Sequence, residues 1–98
     1  MTERVRFFEE AADEIEHERA WYRDRSETAE AAFLRELDHA IDVVTEAPHR
    51  WPKYTGVTRR YVFPKFPFSL VYFVEDGIVA VVALEAENKE PGYWTNRL

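Results

Sequence analysis

The chain has no cysteine. Disulfide staples, thiolate metal sites and a cysteine nucleophile are therefore all excluded, and the composition suits a reducing compartment. Only three glycines occur in 98 residues, and none sits in a Gly-rich loop of the kind that cradles phosphates. No apolar run approaches the length that crosses a bilayer, and no basic segment precedes an apolar stretch at the N-terminus, so a soluble, cytoplasmic protein is expected. Low-complexity tracts, internal repeats and coiled-coil heptads are also missing. With 46% hydrophobic and 33% charged residues, the remainder describes one folded domain, residues 1–98, with no room for a second.

Acids outnumber bases by 19 to 13, for a net charge of −6. The distribution is uneven. Residues 1–48 hold 14 acids and 6 bases, residues 49–74 hold no acid and 5 bases, and residues 75–98 hold 5 acids and 2 bases. Arg50, Lys53, Arg59, Arg60 and Lys65 thus form a cationic segment in an acidic protein, the candidate contact for a nucleic acid or another target. The negative total weakens long-range attraction to polyanions.

Val5 to Phe8 reads as a first strand. Glu9, Glu10, Asp13 and Glu14 then place negative charge in the first turns of a helix, where the macrodipole favours it, and helical spacing persists to about residue 24. Ser26 is a candidate N-cap for a second helix with the apolar stripe Ala29, Phe33, Leu37, Ala40, Ile41 and Val44, and Pro48 ends it. Three strands follow, Thr58–Phe63, Phe68–Val74 and Ile78 to about Glu85, and the last two are joined through Glu75-Asp76-Gly77. The expected architecture is α+β in the order β-α-α-β-β-β, an antiparallel sheet packed against an antiparallel helix pair.

Four groups of residues could carry function. Arg59, Arg60 and Lys65 with their interleaved aromatics could bind phosphates while rings stack on bases; alternatively, strand alternation sends one arginine to solvent and the aromatics to the core. Lys89, Tyr93, Trp94 and Arg97 form a C-terminal group able to supply cations and a proton donor, or else simply a cap on the core. His17 with Glu14 has helical ligand spacing, yet no HExxH occurs and a solvated helix face is the expectation, so no metal or cofactor is expected. Trp21 and Tyr22 are adjacent and cannot share one helical stripe, so one of them projects as a candidate partner anchor unless both fill the crease between the helices.

The series Arg59-Arg60-Tyr61, Phe66-Pro67-Phe68, Val71-Tyr72 and Pro91-Gly92-Tyr93-Trp94, behind two helices, resembles the RelE/ParE toxins of type II toxin–antitoxin systems, the plasmid-stabilisation type, across roughly residues 5–97. The resemblance implies a growth inhibitor silenced by a cognate antitoxin whose extended part wraps the toxin. Its target would be mRNA in the ribosomal A site for nuclease members or DNA gyrase for ParE-like members, which are not hydrolases. In nuclease members an arginine precedes the Leu-Val-Tyr of the third strand, where this chain has Ser69. Those members also follow the last strand with Lys and Arg, where this chain has Glu85, Ala86, Glu87, Asn88, Lys89 and Glu90; many PGYW relatives carry a histidine at the position of Ala86. Whether the chain is an enzyme is left open, and a ParE-like or attenuated toxin is favoured. If it cleaves RNA, Arg60, Lys65, Lys89 and Arg97 would be the phosphate-side cations and Tyr93 the acid–base group. A ribosome-dependent endonuclease and a non-toxic binding module retained as antitoxin partner are the alternatives.

Overall fold

Ser26 alone separates the two helices of the computed structural model, which describes residues 4–98. Its extended backbone breaks the first helix, its N–H donates to the Tyr22 carbonyl at 3.0 Å, and its hydroxyl accepts from the Ala29 N–H at 3.0 Å. One residue thus closes α1 (Glu9–Arg25) and caps α2 (Glu27–Glu46), a cap worth about 1 kcal/mol. Pro48 biases Ala47 away from helical geometry, and α2 stops there. The α2 stripe lies inward as expected, with Phe33, Leu37, Ala40 and Val44 buried, whereas α1 buries only Ala11 completely and leaves most of its surface exposed.

The strands are β1 (Val5–Phe7), β2 (Arg59–Val62), β3 (Phe68–Glu75) and β4 (Ile78–Ala86), with a short 3₁₀ turn at Thr95–Arg97. They form one sheet in the order β1-β4-β3-β2. Asp76 (φ 55°) and Gly77 (φ 75°) take the left-handed conformation at both central positions of a two-residue turn, which sets the β3–β4 register from Glu75 opposite Ile78. The β-α-α-β-β-β order and the α+β class are as expected. One detail differs: β1 pairs with β4 in parallel, Val5 opposite Val79 through Phe7 opposite Val81, so the sheet is mixed rather than wholly antiparallel. The helix pair carries the chain over one face of the sheet to the far edge, and the meander β2-β3-β4 then brings β4 back alongside β1 in the same direction.

Both faces of the sheet are covered. Tyr61, Leu70, Tyr72, Val79, Val81 and Leu84 join Phe33, Leu37 and Val44 in the helix-side core. A bulge shifts the register between Val71 (opposite Ala83) and Tyr72 (opposite Val81), and the extra residue, Val82, joins Ala83, Val71 and Trp94 in a second cluster. Burial on two sides is why β4 reads as a nearly unbroken apolar run.

Tyr72 ties the layers together, its hydroxyl donating to the Pro48 carbonyl just past α2. Burial pushes its pKa up to about 12, against a smaller opposing pull from Arg59. The unfolded value is about 10, so the folded state holds this proton more tightly. Its contribution is complete below pH ~10 and is lost as pH rises toward ~12, costing roughly 3 kcal/mol for a shift of that size. Urea melts across this range should show the fall, and Tyr72→Phe should flatten it. A parent protein equally stable at both ends would refute the assignment.

Candidate functional site

Because β1 ends at Phe7, opposite Val81, the outer edge of β4 has no strand neighbour among the described residues from Val82 onward. Side chains occupy that edge instead. Glu14 reaches over from α1, and its Oε1 accepts from the Leu84 N–H at 3.0 Å and from Arg97 Nη1 at 3.2 Å. Its Oε2 accepts from the Tyr93 hydroxyl at 2.6 Å and from Arg97 Nη2 at 2.8 Å. Arg97 Nη1 also donates to the Val82 carbonyl at 2.9 Å. One carboxylate therefore gathers a backbone amide, a phenol and a guanidinium, in the bidentate geometry that makes such pairs strong.

The electrostatics follow from that geometry. Burial raises the Tyr93 pKa, its hydrogen bond to Glu14 raises it further, and Arg97 opposes both to a lesser degree. The hydrogen bond to Glu14 holds Arg97 charged. At neutral pH Tyr93 is thus a protonated phenol already donating to a carboxylate, and Arg97 has spent its fork on the same group.

A second constellation lies on the sheet face away from the helices. Glu85 is buried (6% exposed), and its Oε2 accepts from the Tyr54 hydroxyl at 3.2 Å and from the Gly92 N–H at 3.3 Å. The Arg60 guanidinium stacks on the Tyr54 ring, 4.3 Å from its centroid. Burial and Glu85 raise the Tyr54 pKa, and Arg60 pulls it down. On this face a buried carboxylate and a phenol thus lie together with Arg60 beside them.

The cationic segment does not become one patch in space. Tyr61 and Tyr72 lie in the helix-side core, and Arg59 is paired opposite Tyr72; it donates to the Trp51 carbonyl at 2.6 Å. Arg60 pairs opposite Val71, which belongs to the second cluster, so the two arginines sit on opposite faces. Lys53 is exposed beside Arg59 in an isolated bridge, Arg50 is exposed with its guanidinium 5.1 Å from the Trp51 ring centroid, and Lys65 is exposed in the β2–β3 loop. Lys89 is exposed as well, its ammonium 5.5 Å from the Tyr93 ring centroid. Among the proposed catalytic residues Tyr93, Arg97 and Lys89 come together, with Glu14 unforeseen between Tyr93 and Arg97, whereas Arg60 lies on the other face beside Tyr54 and Glu85, and Lys65 lies in the β2–β3 loop. Glu85 carried a signal, as a lone acid in an apolar strand; Glu14 carried almost none, since α1 is acidic along its length.

Trp21 and Tyr22 part company as their adjacency requires. Tyr22 stacks on Phe33 with centroids 5.2 Å apart, while Trp21 remains 46% exposed. Trp21 borders a cleft of about 890 Å³ between α1 and the end of β4, whose rim carries Asp13, Glu18, Glu87 and Lys89. Among the described residues no three His, Asp or Glu side chains are grouped to hold a metal ion, and no helix is long and apolar enough to cross a membrane.

The architecture is similar to that of a solved chain described as the chromosomal ParDE TA system from P. aeruginosa, with a TM-score of 0.72. The match covers 86% of this chain and 95% of that one. The chain has a ParE/RelE-like fold. Sequence identity is 12%, so the likeness extends to the fold and not to individual residues. No family model matches the chain, and no curated protein matches it in sequence.

Proposed function

We propose that this chain is the toxin of a type II toxin–antitoxin pair, a growth inhibitor silenced by a cognate antitoxin, and that it acts in the ParE manner, by contact with a protein target such as DNA gyrase rather than by cutting RNA. The toxin half is supported by a fold shared over most of the chain with a component of a ParDE system. The non-nucleolytic half rests on one observation: Glu14 occupies both Tyr93 and Arg97. RNA cleavage through a 2′-hydroxyl needs a base and cations free to meet developing charge on phosphate. Losing one such contact costs about 2.7–4 kcal/mol, or ~10²–10³ in rate. Here Arg97 is paired with Glu14, the buried Glu85 adds a negative charge beside Tyr54 and Gly92, and of the candidate phosphate-side cations Arg60, Lys65 and Lys89 are those without a carboxylate partner among the described residues.

Controlled expression without a partner tests both halves. The expected result is growth arrest with no new mRNA 5′ ends by primer extension, together with inhibition of supercoiling by purified gyrase. New ends that vanish in Tyr93→Phe and Lys65→Ala would make the chain a ribosome-dependent endonuclease. Unimpaired growth would make it a binding module without toxicity.

A further inference from the structure

We propose that the cleft between α1 and the end of β4 receives a cationic amphipathic helix of the protein partner. The identification of that partner as an antitoxin rests on the function proposed above; the chemistry of the segment rests on the cleft. Asp13, His17 and Trp21 follow one another at helical spacing of four along α1 and all border the opening, so that side of the helix faces no other element. Phe68 and Leu84 form an apolar floor, and Trp21 stands exposed at one end as an anchor.

Two observations decide what fits. The first is charge. Glu14 is neutralised by Arg97, which leaves Asp13, Glu18 and Glu87 against Lys89 around the opening and Arg25 over Trp21 at one end, a surplus of acid beside an N-terminal half that is itself strongly acidic. Such a surface repels an acidic segment and attracts a basic one. Trp21 already holds a guanidinium, that of Arg25, 3.4 Å from its ring centroid, and a partner arginine could take the same place. The second is the backbone. The Leu84 N–H and the Val82 carbonyl on the outer edge of β4 are spent on Glu14 and Arg97, so an incoming strand would find those two ladder positions already taken. A helix suits such a cleft better, because its backbone is satisfied within itself and it presents side chains alone.

Calorimetry on the full chain tests this with two synthetic helical peptides of about 18 residues, sharing one Leu/Ala stripe but carrying a Lys/Arg or a Glu polar face. The cationic peptide should bind at least roughly tenfold more tightly, and less tightly as salt rises. Trp21→Ala should weaken it roughly tenfold, as should the combination Asp13→Asn, Glu18→Gln and Glu87→Gln. Asp38→Asn with Asp42→Asn, exposed on α2, should leave binding unchanged. The proposal fails if neither peptide binds, if both bind alike, or if the α2 variant weakens binding as much as the cleft variant. Growth arrest is scored separately. Arrest without peptide binding removes the cleft assignment alone, and peptide binding without arrest removes the toxin assignment alone.

Discussion

Glu14→Ala is expected to cost about 3 kcal/mol of stability, the lower end of the range for removing one partner of a buried ion pair. The lower end applies because the Arg97 and Glu14 side chains keep 14% and 23% of their exposure. For a chain of this size that loss lowers the melting temperature by roughly 12–24 °C. The cost comes from what is stranded rather than from the attraction lost. The Leu84 N–H and Arg97 Nη2 lose their acceptor, the Tyr93 hydroxyl keeps only a long contact to the Leu84 carbonyl at 3.4 Å, and Arg97 Nη1 keeps only the Val82 carbonyl. Arg97→Met in the same background removes the stranded charge and should recover part of the loss, a coupling that a double-mutant cycle reads directly. A melting point within about 4 °C of the parent for Glu14→Ala would mean that water substitutes for the carboxylate and that Tyr93 and Arg97 are free for other work. The stability measurement therefore also tests whether Glu14 keeps Tyr93 and Arg97 occupied.

What could be read from the residues alone was what depends on near neighbours. Ser26 as a cap, Pro48 as a stop and Asp76-Gly77 as a two-residue turn each act within a few positions, and each stands where local chemistry puts it. The parallel pairing of β1 was not legible, because a three-residue strand says nothing of its partner and the crossover that decides it runs through both helices. The cationic run left two readings open, and strand alternation decides how its two arginines part. Contiguity in a strand separates side chains in space, so Arg59 went to a backbone carbonyl on one face and Arg60 to Tyr54 on the other. Glu14 was hidden for a third reason. Its role is created by the point at which β1 stops, and no property of α1 encodes that.

The two tryptophans Trp21 and Trp94 offer the sharpest contrast between an exposed and a buried ring. Trp94 is 0% exposed and packs against Val71, Val82 and Ala83, with its ring centroid 5.8 Å from that of Tyr54. Trp94→Ala should cost about 3–5 kcal/mol, because truncation of a buried aromatic loses transfer energy and leaves a cavity. The damage should spread, since Gly92 in the same segment donates to Glu85, and Glu85 in turn holds Tyr54. A domain of ordinary stability has only about 5–15 kcal/mol to lose, so the variant should be partly unfolded near physiological temperature and readily cut within residues 91–98. Trp94→Phe should be much milder: the indole Nε1 has no hydrogen-bond partner among the described residues, so the exchange removes volume but no bond. Trp21→Ala, at an exposed position, should stay within about 0.5 kcal/mol of the parent while weakening the cationic peptide. Thermal melts of the three variants, run beside limited proteolysis, decide the matter. If Trp21→Ala melts early and Trp94→Ala does not, the C-terminal segment is not what seals the second face of the sheet, and Trp21 is part of the core rather than an anchor for a partner.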